Sequence, residues 1–237
     1  MKCFIGIDLG STTTKSVVMD ETGRPLGHGI TNSRSNYDTA ALVAKTEALI
    51  SARLQLLRQR LEQGPTPALG VDQTLEGLER HFRLAQFMDQ LKSLESLCGE
   101  KASDSQAKGG IGDALNATFR NLEVELAKLF APGAERKSDF FRDLAGSVYM
   151  EVSEGQAREF GVSQDTLINM YDKSIIEVEN LPPKVDMDST FLAALDSLHA
   201  EGELSDTDFN SVREILLQVL AVELEETYVV GTGYGRA

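Results

Sequence analysis

The sequence has few cysteines, no tryptophan and no long hydrophobic run. Its 237 residues include two cysteines, Cys3 and Cys98, which are too few for a disulfide framework. No apolar stretch approaches the roughly 20 residues that a membrane-spanning helix needs. The N-terminus does not resemble a signal peptide, because Asp8 interrupts the early apolar stretch. These absences predict a cytoplasmic protein with reduced thiols.

Basic residues are scarce relative to acidic ones. The chain has 23 Lys and Arg against 37 Asp and Glu, a formal net charge of −14. Nucleic acids and anionic membranes both attract clusters of basic side chains, so we expect neither as a partner. The 41% apolar content is ordinary for a globular protein. The three histidines lack His-Glu-x-x-His spacing, so we expect no zinc site.

The first 37 residues predict three strands. Residues 3–9 are apolar and rich in β-branched side chains, and residues 16–19 resume that pattern. Residues 20–23 have turn chemistry, and a third strand follows over residues 26–31. We therefore expect an antiparallel three-stranded meander at the front of the chain.

Helical periodicity dominates after this front. We expect Asp38 to N-cap the first helix, which the Gly-Pro pair at 64–65 ends. Ser138 is expected to cap a helix that begins at Phe140. Residues 99–112 are predicted to form a linker, and residues 174–178 a strand. Further helices are predicted over about 73–97 and over 112–130, and another is predicted to start at 205–208. The first of these has Leu75, Leu78, Phe82 and Ala85 on one side. A last strand is predicted at 227–230.

The residues between the first two predicted strands carry the most chemical information. Gly10 lets the backbone approach a ligand closely, and consecutive N–H groups in such a turn bind anions. The hydroxyl side chains that follow add donors for phosphate oxygens, and Lys15 can add positive charge. Asp8 closes the strand beside this turn, where a carboxylate can hold hydrated Mg²⁺. Phosphoryl transfer depends mainly on such positioning and charge neutralisation. The predicted site residues are Asp8, Gly10, Ser11, Thr12, Thr13 and Lys15.

Two familiar nucleotide motifs do not fit this sequence. A P-loop would need glycine at the positions of Leu9 and Thr14, and a helix where strand residues follow. The glycines at 231, 233 and 235 lack the final glycine of a dinucleotide fingerprint. An ordinary hairpin with a polar turn is the alternative at residues 8–15, and the flanking strands and Asp8 favour the phosphate interpretation.

Residues 5–15 resemble the first phosphate motif of the actin-like ATPase and sugar-kinase superfamily, and within it the activator ATPases. Other segments resemble the ATP-hydrolysing alpha subunit of ATP-dependent benzoyl-CoA reductases. These segments are residues 31–38, 130–143 and 174–180, together with residues 229–236, which are similar to the place where that family re-enters its ATPase core.

The resemblance implies an α/β fold, the N-terminal part of an actin-like ATPase (ribonuclease H-like) domain with a long, mainly helical insertion. Residues 1–37 would supply the first strands and the phosphate loop. Residues 38–226 would form the insertion, and residues 227–237 would be the return strand into the core, whose remainder is absent. We expect the insertion to dock onto partner subunits.

The resemblance also implies a mechanism. In that family two related ATPase subunits share one [4Fe-4S] cluster, and ATP hydrolysis changes their relative position. Electrons from reduced ferredoxin then pass to substrate-reducing subunits that dearomatise benzoyl-CoA. By this resemblance Asp8 would be the catalytic residue that organises Mg²⁺, and residues 10–13 with Lys15 would contact the phosphates of ATP.

The sequence departs from the family in one respect. The family's cluster ligands and second phosphate loop lie beyond the segment at 231–236, and neither Cys3 nor Cys98 matches those ligands. We therefore expect the chain alone to hold half an ATP site, no cluster and little or no ATP hydrolysis. Three alternatives stay open: an activator ATPase of a 2-hydroxyacyl-CoA dehydratase, a small-molecule kinase of the same superfamily, and a non-catalytic truncated interaction piece.

Overall fold

The computed structural model describes residues 1–33, 36–64, 66–104, 109–181 and 186–233. The chain is a mixed α/β protein and mostly helical. Within the described part, no helix combines the length and the apolar character needed to cross a membrane. The elements in chain order are β1 (Lys2–Leu9), β2 (Thr13–Asp20), β3 (Pro25–Asn32), α1 (Tyr37–Gln63), α2 (Val71–Asp104), α3 (Ile111–Lys128), α4 (Phe141–Phe160), α5 (Gln164–Glu179), α6 (Met187–Ala200), α7 (Asp206–Leu220) and β4 (Glu225–Gly233).

The chain divides into two compact units. The first unit comprises Met1–Phe82 and Pro182–Ala237, and the second unit comprises Arg83–Leu181. The boundary falls inside α2. The first unit is therefore discontinuous in sequence and contains the sheet, whereas the second unit is helical.

The strands form one sheet with the order β3-β2-β1-β4. β1, β2 and β3 pair antiparallel, which confirms the predicted meander. β4 pairs parallel with β1, so that Ile5 lies between Val18 of β2 and Val229 of β4. Every residue of β4 is exposed.

Helix α1 lies directly on β3 because both elements carry small residues where they meet. A Cβ atom built on Gly27 would lie 2.3 Å from the backbone nitrogen of Ala52, and one built on Gly29 would lie 2.1 Å from the carbonyl oxygen of Ala44. Both distances are far below van der Waals contact. The backbones of helix and strand therefore touch, and the intervening Ala48 is completely buried.

The remainder of α1 packs against other helices of the first unit. Its larger side chains, such as Leu57, join a hydrophobic cluster with α2, α6 and α7. At the centre of this cluster the rings of Phe82 and Phe191 lie 4.4 Å apart. Arg53 donates hydrogen bonds from Nη1 to the carbonyl oxygens of Val219 (2.6 Å) and Val222 (2.7 Å). The guanidinium complements the negative C-terminal end of the α7 dipole. It also holds the backbone between α7 and β4, at Val222.

The second unit is a helical bundle with an aromatic centre. The rings of Tyr149 and Tyr171 stack 4.5 Å apart, and the Tyr149 hydroxyl donates to the carbonyl oxygen of Leu167 at 3.0 Å. Cys98 belongs to the same buried cluster. Burial raises the pKa of the Cys98 thiol to about 11, so this thiol stays protonated at neutral pH.

Two helix caps differ from the sequence-based predictions. Asn36, not Asp38, caps α1: its Oδ1 accepts hydrogen bonds from the backbone N–H of Asp38 (3.0 Å) and Thr39 (3.2 Å). The N-cap of α4 is Phe140, which has no side-chain cap. Ser138 is two residues earlier, where its hydroxyl accepts from the Phe140 N–H at 3.1 Å.

Three predicted segments also differ from the structure. Residues 174–178 are not a strand but the last turns of α5, because Ser174, Ile175 and Val178 follow helical spacing and are buried in the bundle. The predicted linker is largely helical, since α2 continues to Asp104 and α3 begins at Ile111; residues 105–108 lie outside the described residues. Of the side chains assigned to one side of α2, Ala85 is exposed.

We expect Gly29→Ala to destabilise the first unit by about 3 kcal/mol, because the new Cβ would meet backbone atoms of α1 that cannot move independently. Urea unfolding measures the change. Gly231→Ala is the matched control in the same sheet, because a Cβ there meets nothing within 4 Å. Equal losses for the two variants would contradict a helix–strand backbone contact.

We expect the stabilisation provided by Asp20 to disappear in acid. The Asp20 carboxylate accepts hydrogen bonds from the Thr22 hydroxyl (2.6 Å), the Arg24 N–H (3.0 Å) and the Thr22 N–H (2.8 Å). Led by the Thr22 hydroxyl, they lower the pKa of Asp20 from 3.8 to about 2. A lowered pKa stabilises the folded state fully above about pH 4, and this contribution is lost as the pH falls through about 2.

Thermal unfolding at several pH values tests this expectation. The difference in Tm between the native sequence and Asp20→Asn should be constant from about pH 7 to pH 5, and should shrink as the pH falls from about 4 towards 2. A difference that stays unchanged down to pH 2 would show that the carboxylate charge does not stabilise this turn.

Candidate functional site

Asp8 and the turn after it lie at one end of the sheet. β1 ends at Leu9 and β2 begins at Thr13, so residues 10–12 connect the two strands. Asp8 pairs directly with Lys15 across the strands, and residues opposite each other in an antiparallel pair carry their side chains on the same face. Both side chains are exposed. A carboxylate and an ammonium group are thus available on one face beside the turn.

Gly10 is required by the shape of this turn. A Cβ atom at position 10 would lie 2.5 Å from the carbonyl oxygen of Thr13. The side chains of Ser11 and Thr12 are exposed, and Thr13 is half-buried. The turn is therefore tight and presents hydroxyl groups to solvent.

Ser33, the residue after β3, holds the turn from one side. Its backbone N–H donates to the carbonyl oxygen of Thr12 at 2.8 Å, and its hydroxyl donates to the carbonyl oxygen of Gly10 at 2.5 Å. The described chain has no cis peptide bond, and a trans peptide directs its C=O and the following N–H in opposite directions. The N–H groups of Ser11 and Thr13 are therefore directed away from Ser33.

This arrangement can bind an anion. The N–H groups of Ser11 and Thr13 point away from Ser33, which binds the carbonyl oxygens of the same peptide groups, and backbone N–H groups in turns can form anion-binding concavities. The exposed hydroxyls of Ser11 and Thr12 add donors next to these amides. Lys15 lies on the neighbouring strand and adds a positive charge.

Thr232 of β4 holds Asp8 from the other side. The two residues are paired in the parallel register, and the Thr232 hydroxyl donates to Asp8 Oδ1 at 3.2 Å. The next residue, Gly233, has φ of +109°, and a Cβ there would lie 2.2 Å from the carbonyl oxygen of Leu9. Only glycine fits that position. Mg²⁺ keeps several of its waters in proteins and is bound by one or two carboxylates. The exposed Asp8 carboxylate fits such a hydrated cation.

The structure brings together the six residues predicted from the sequence, Asp8, Gly10, Ser11, Thr12, Thr13 and Lys15. It adds Ser33 and Thr232, which sequence reasoning missed. A register argument could have found Ser33, because the residue that follows β3 must lie beside the start of β2 in an antiparallel pair. Residues 234–236 of the glycine-rich segment lie outside the described residues.

A separate cluster of ionisable groups lies in the first unit, at His81, Glu201 and Glu203. Their potential ligand atoms lie within 4.8 Å of one another. Arg80 already contacts both carboxylates, with Nη1 3.6 Å from Glu201 and Nη2 hydrogen-bonded to Glu203. Burial lowers the pKa of His81. Because the Arg80 guanidinium is paired with both carboxylates, we interpret this cluster as an ion-pair network and not as a metal site.

No family model matches the chain, and neither a curated protein nor a solved structure is significantly similar to it. The fold assigns the chain to a broad class only. It is a mixed α/β protein with a small four-stranded sheet and a predominance of helix.

We expect Gly10→Ala to open the turn, because its Cβ would meet the Thr13 carbonyl. Amide hydrogen exchange at Ser33, whose N–H is bonded to Thr12, should accelerate by about tenfold or more, the effect of losing one hydrogen bond. Gly6→Ala is the matched control in β1, where the Cβ would lie 3.3 Å from a Val17 methyl group that can turn aside. Unchanged exchange in Gly10→Ala would contradict the geometry of the turn.

Proposed function

We propose that this chain is an ATP-binding and ATP-hydrolysing subunit, or part of one, that couples ATP hydrolysis to low-potential electron transfer. The enzyme proposed is a benzoyl-CoA reductase of the ATP-dependent type, an oxidoreductase. The observation that carries the proposal is the turn at residues 10–12, where Ser33 binds the carbonyl oxygens of Gly10 and Thr12, so that the amides of Ser11 and Thr13 are directed away from Ser33. Asp8 stands next to that turn.

The donors of the turn suit a triphosphate. Backbone amides bind phosphate oxygens of any nucleotide, and the hydroxyls of Ser11 and Thr12 extend the set of donors. The ammonium group of Lys15 can compensate the charge that phosphates bring to this acidic protein. Asp8 is suited to Mg²⁺, because this ion keeps several waters and takes one or two carboxylates together with substrate phosphates.

The sheet order is consistent with an actin-like ATPase core. A ribonuclease H-like core begins with three antiparallel strands and then adds parallel strands beside the first. The order β3-β2-β1-β4, with β4 parallel to β1, has this arrangement. In such open sheets the ligand lies at the carboxyl ends of the strands, which is where β1 and β4 place Asp8 and Thr232.

The proposal includes partners and a cluster. ATP and Mg²⁺ would bind at the turn, and a related ATPase subunit would share a [4Fe-4S] cluster with this one. Ferredoxin would supply the electrons, and substrate-reducing subunits would hold benzoyl-CoA. Cys3 and Cys98 are free and fully buried, so we assign neither to the cluster.

Titration of the ¹⁵N-labelled chain with MgATP tests the nucleotide site. We expect the largest chemical-shift changes at the amides of Ser11, Thr12 and Thr13, and much smaller changes with MgAMP, which lacks the outer phosphates. Asp8→Asn should weaken MgATP binding by about tenfold and leave metal-free ATP binding unchanged, because it removes a charged ligand of the ion.

Glu21→Gln is the control for Asp8→Asn. It also removes one negative charge, but Glu21 lies in the turn after β2, at the end of that strand opposite the site, so MgATP binding should not change. Chemical-shift changes that avoid residues 10–13 entirely would refute the nucleotide site.

The coupling to electron transfer is tested in the assembled enzyme. We expect Asp8→Asn in the complete complex to abolish ATP-dependent reduction of benzoyl-CoA by reduced ferredoxin, with the electron paramagnetic resonance signal of the cluster retained. Retention of ATP-dependent reduction would contradict the assignment of Asp8.

A further inference from the structure

We propose that Ser33 and Thr232 are positioning residues with separate tasks: Ser33 aims the phosphate-binding amides, and Thr232 orients the Asp8 carboxylate for the metal ion. The inference rests on the proposed nucleotide site and assigns two side chains that the phosphate motif itself does not include. It is argued from the hydrogen bonds that each residue makes.

Ser33 is the link between a buried side chain and the turn. Its hydroxyl donates its one proton to the Gly10 carbonyl oxygen, which can only accept. The hydroxyl of Thr14, 3.1 Å away, must therefore be the donor to Ser33 Oγ. Thr14 is completely buried, so this chain of hydroxyls connects the interior of the sheet to the turn.

The consequence is a fixed direction for two peptide groups. Ser33 binds the carbonyl oxygens of Gly10 and Thr12, and these two carbonyls belong to the same peptide groups as the N–H groups of Ser11 and Thr13. Fixing the carbonyls therefore aims the amides before any ligand arrives. Such preorganisation lowers the cost of binding, because no ordering remains to be done.

Thr232 acts on Asp8. Its hydroxyl bond to Oδ1 restricts the rotation of the carboxylate. Gly233, packed on the backbone of Leu9, holds the end of β4 where this bond can form. Partners that orient a metal-binding carboxylate typically change metal affinity by about 10–100-fold.

The two residues lie on opposite sides of the site, one following β3 and the other on β4, so their effects should separate. We expect Ser33→Ala to weaken ATP binding about fivefold, by the same factor with and without Mg²⁺, because it loosens the amides. We expect Thr232→Val to leave metal-free ATP binding unchanged and to reduce the gain from Mg²⁺ about tenfold. Thr232→Ser, which keeps the hydroxyl, should restore that gain.

The measurement is an NMR titration of each full-length variant with ATP, with and without Mg²⁺, together with amide hydrogen exchange of residues 11–13 without ligand. Ser16→Ala is the control for Ser33→Ala, because Ser16 Oγ is buried on β2 and has no hydrogen-bond partner among the described residues. Thr227→Val is the control for Thr232→Val, because the Thr227 hydroxyl donates to Glu225 of its own strand, at 3.4 Å, and not to Asp8. Both controls should bind as the native chain does.

The outcomes distinguish this inference from the proposed function. If the native chain does not bind ATP at the turn, the proposed function fails. If the native chain binds and Ser33→Ala or Thr232→Val binds equally well under both conditions, the positioning roles are wrong and the function stands. Should Ser33→Ala fail to fold, Ser33→Cys replaces the hydroxyl with a weak donor and carries the same expectation, and an unchanged affinity there overturns the role of Ser33.

Discussion

The structure of the first unit depends on the contact between the backbones of α1 and β3. Two glycines of the strand, Gly27 and Gly29, meet the alanine face of the helix with no room for a single additional carbon atom. Close packing of this kind leaves one relative position for helix and strand. Since β3 leads directly to Ser33, the helix that fixes β3 also fixes the residue that shapes the turn after β1.

The candidate site is a product of strand register on both sides of β1. The antiparallel register with β2 places Lys15 opposite Asp8, and the parallel register with β4 places Thr232 beside it. A shift by one residue on either side would turn the partner's side chain to the other face of the sheet. The antiparallel register is supported by the core around Ile5 and Val18, which lies away from the site.

The sequence predicts the parts of this structure that local chemistry determines. The meander follows from the apolar, β-branched runs at 3–9 and 16–19 and from the turn at 20–23, and all six predicted site residues meet at one end of the sheet. Residues 174–178 were misassigned because a short β-branched run is compatible with a strand or with one buried face of a helix. Thr232 was missed because its partner Asp8 is distant in sequence, and no local pattern shows which strands will be neighbours.

The parallel pairing of β1 with β4 has a consequence for synthesis of the chain. Asp8 and Thr232 are 224 positions apart, which at roughly 5–20 residues per second corresponds to about 11–45 seconds of translation. Throughout that time one edge of β1 has no strand beside it, and the whole of Arg83–Leu181 leaves the ribosome first. The helical unit can therefore fold before β4 has been synthesised. During this time the exposed edge of β1 can pair with strands of other chains.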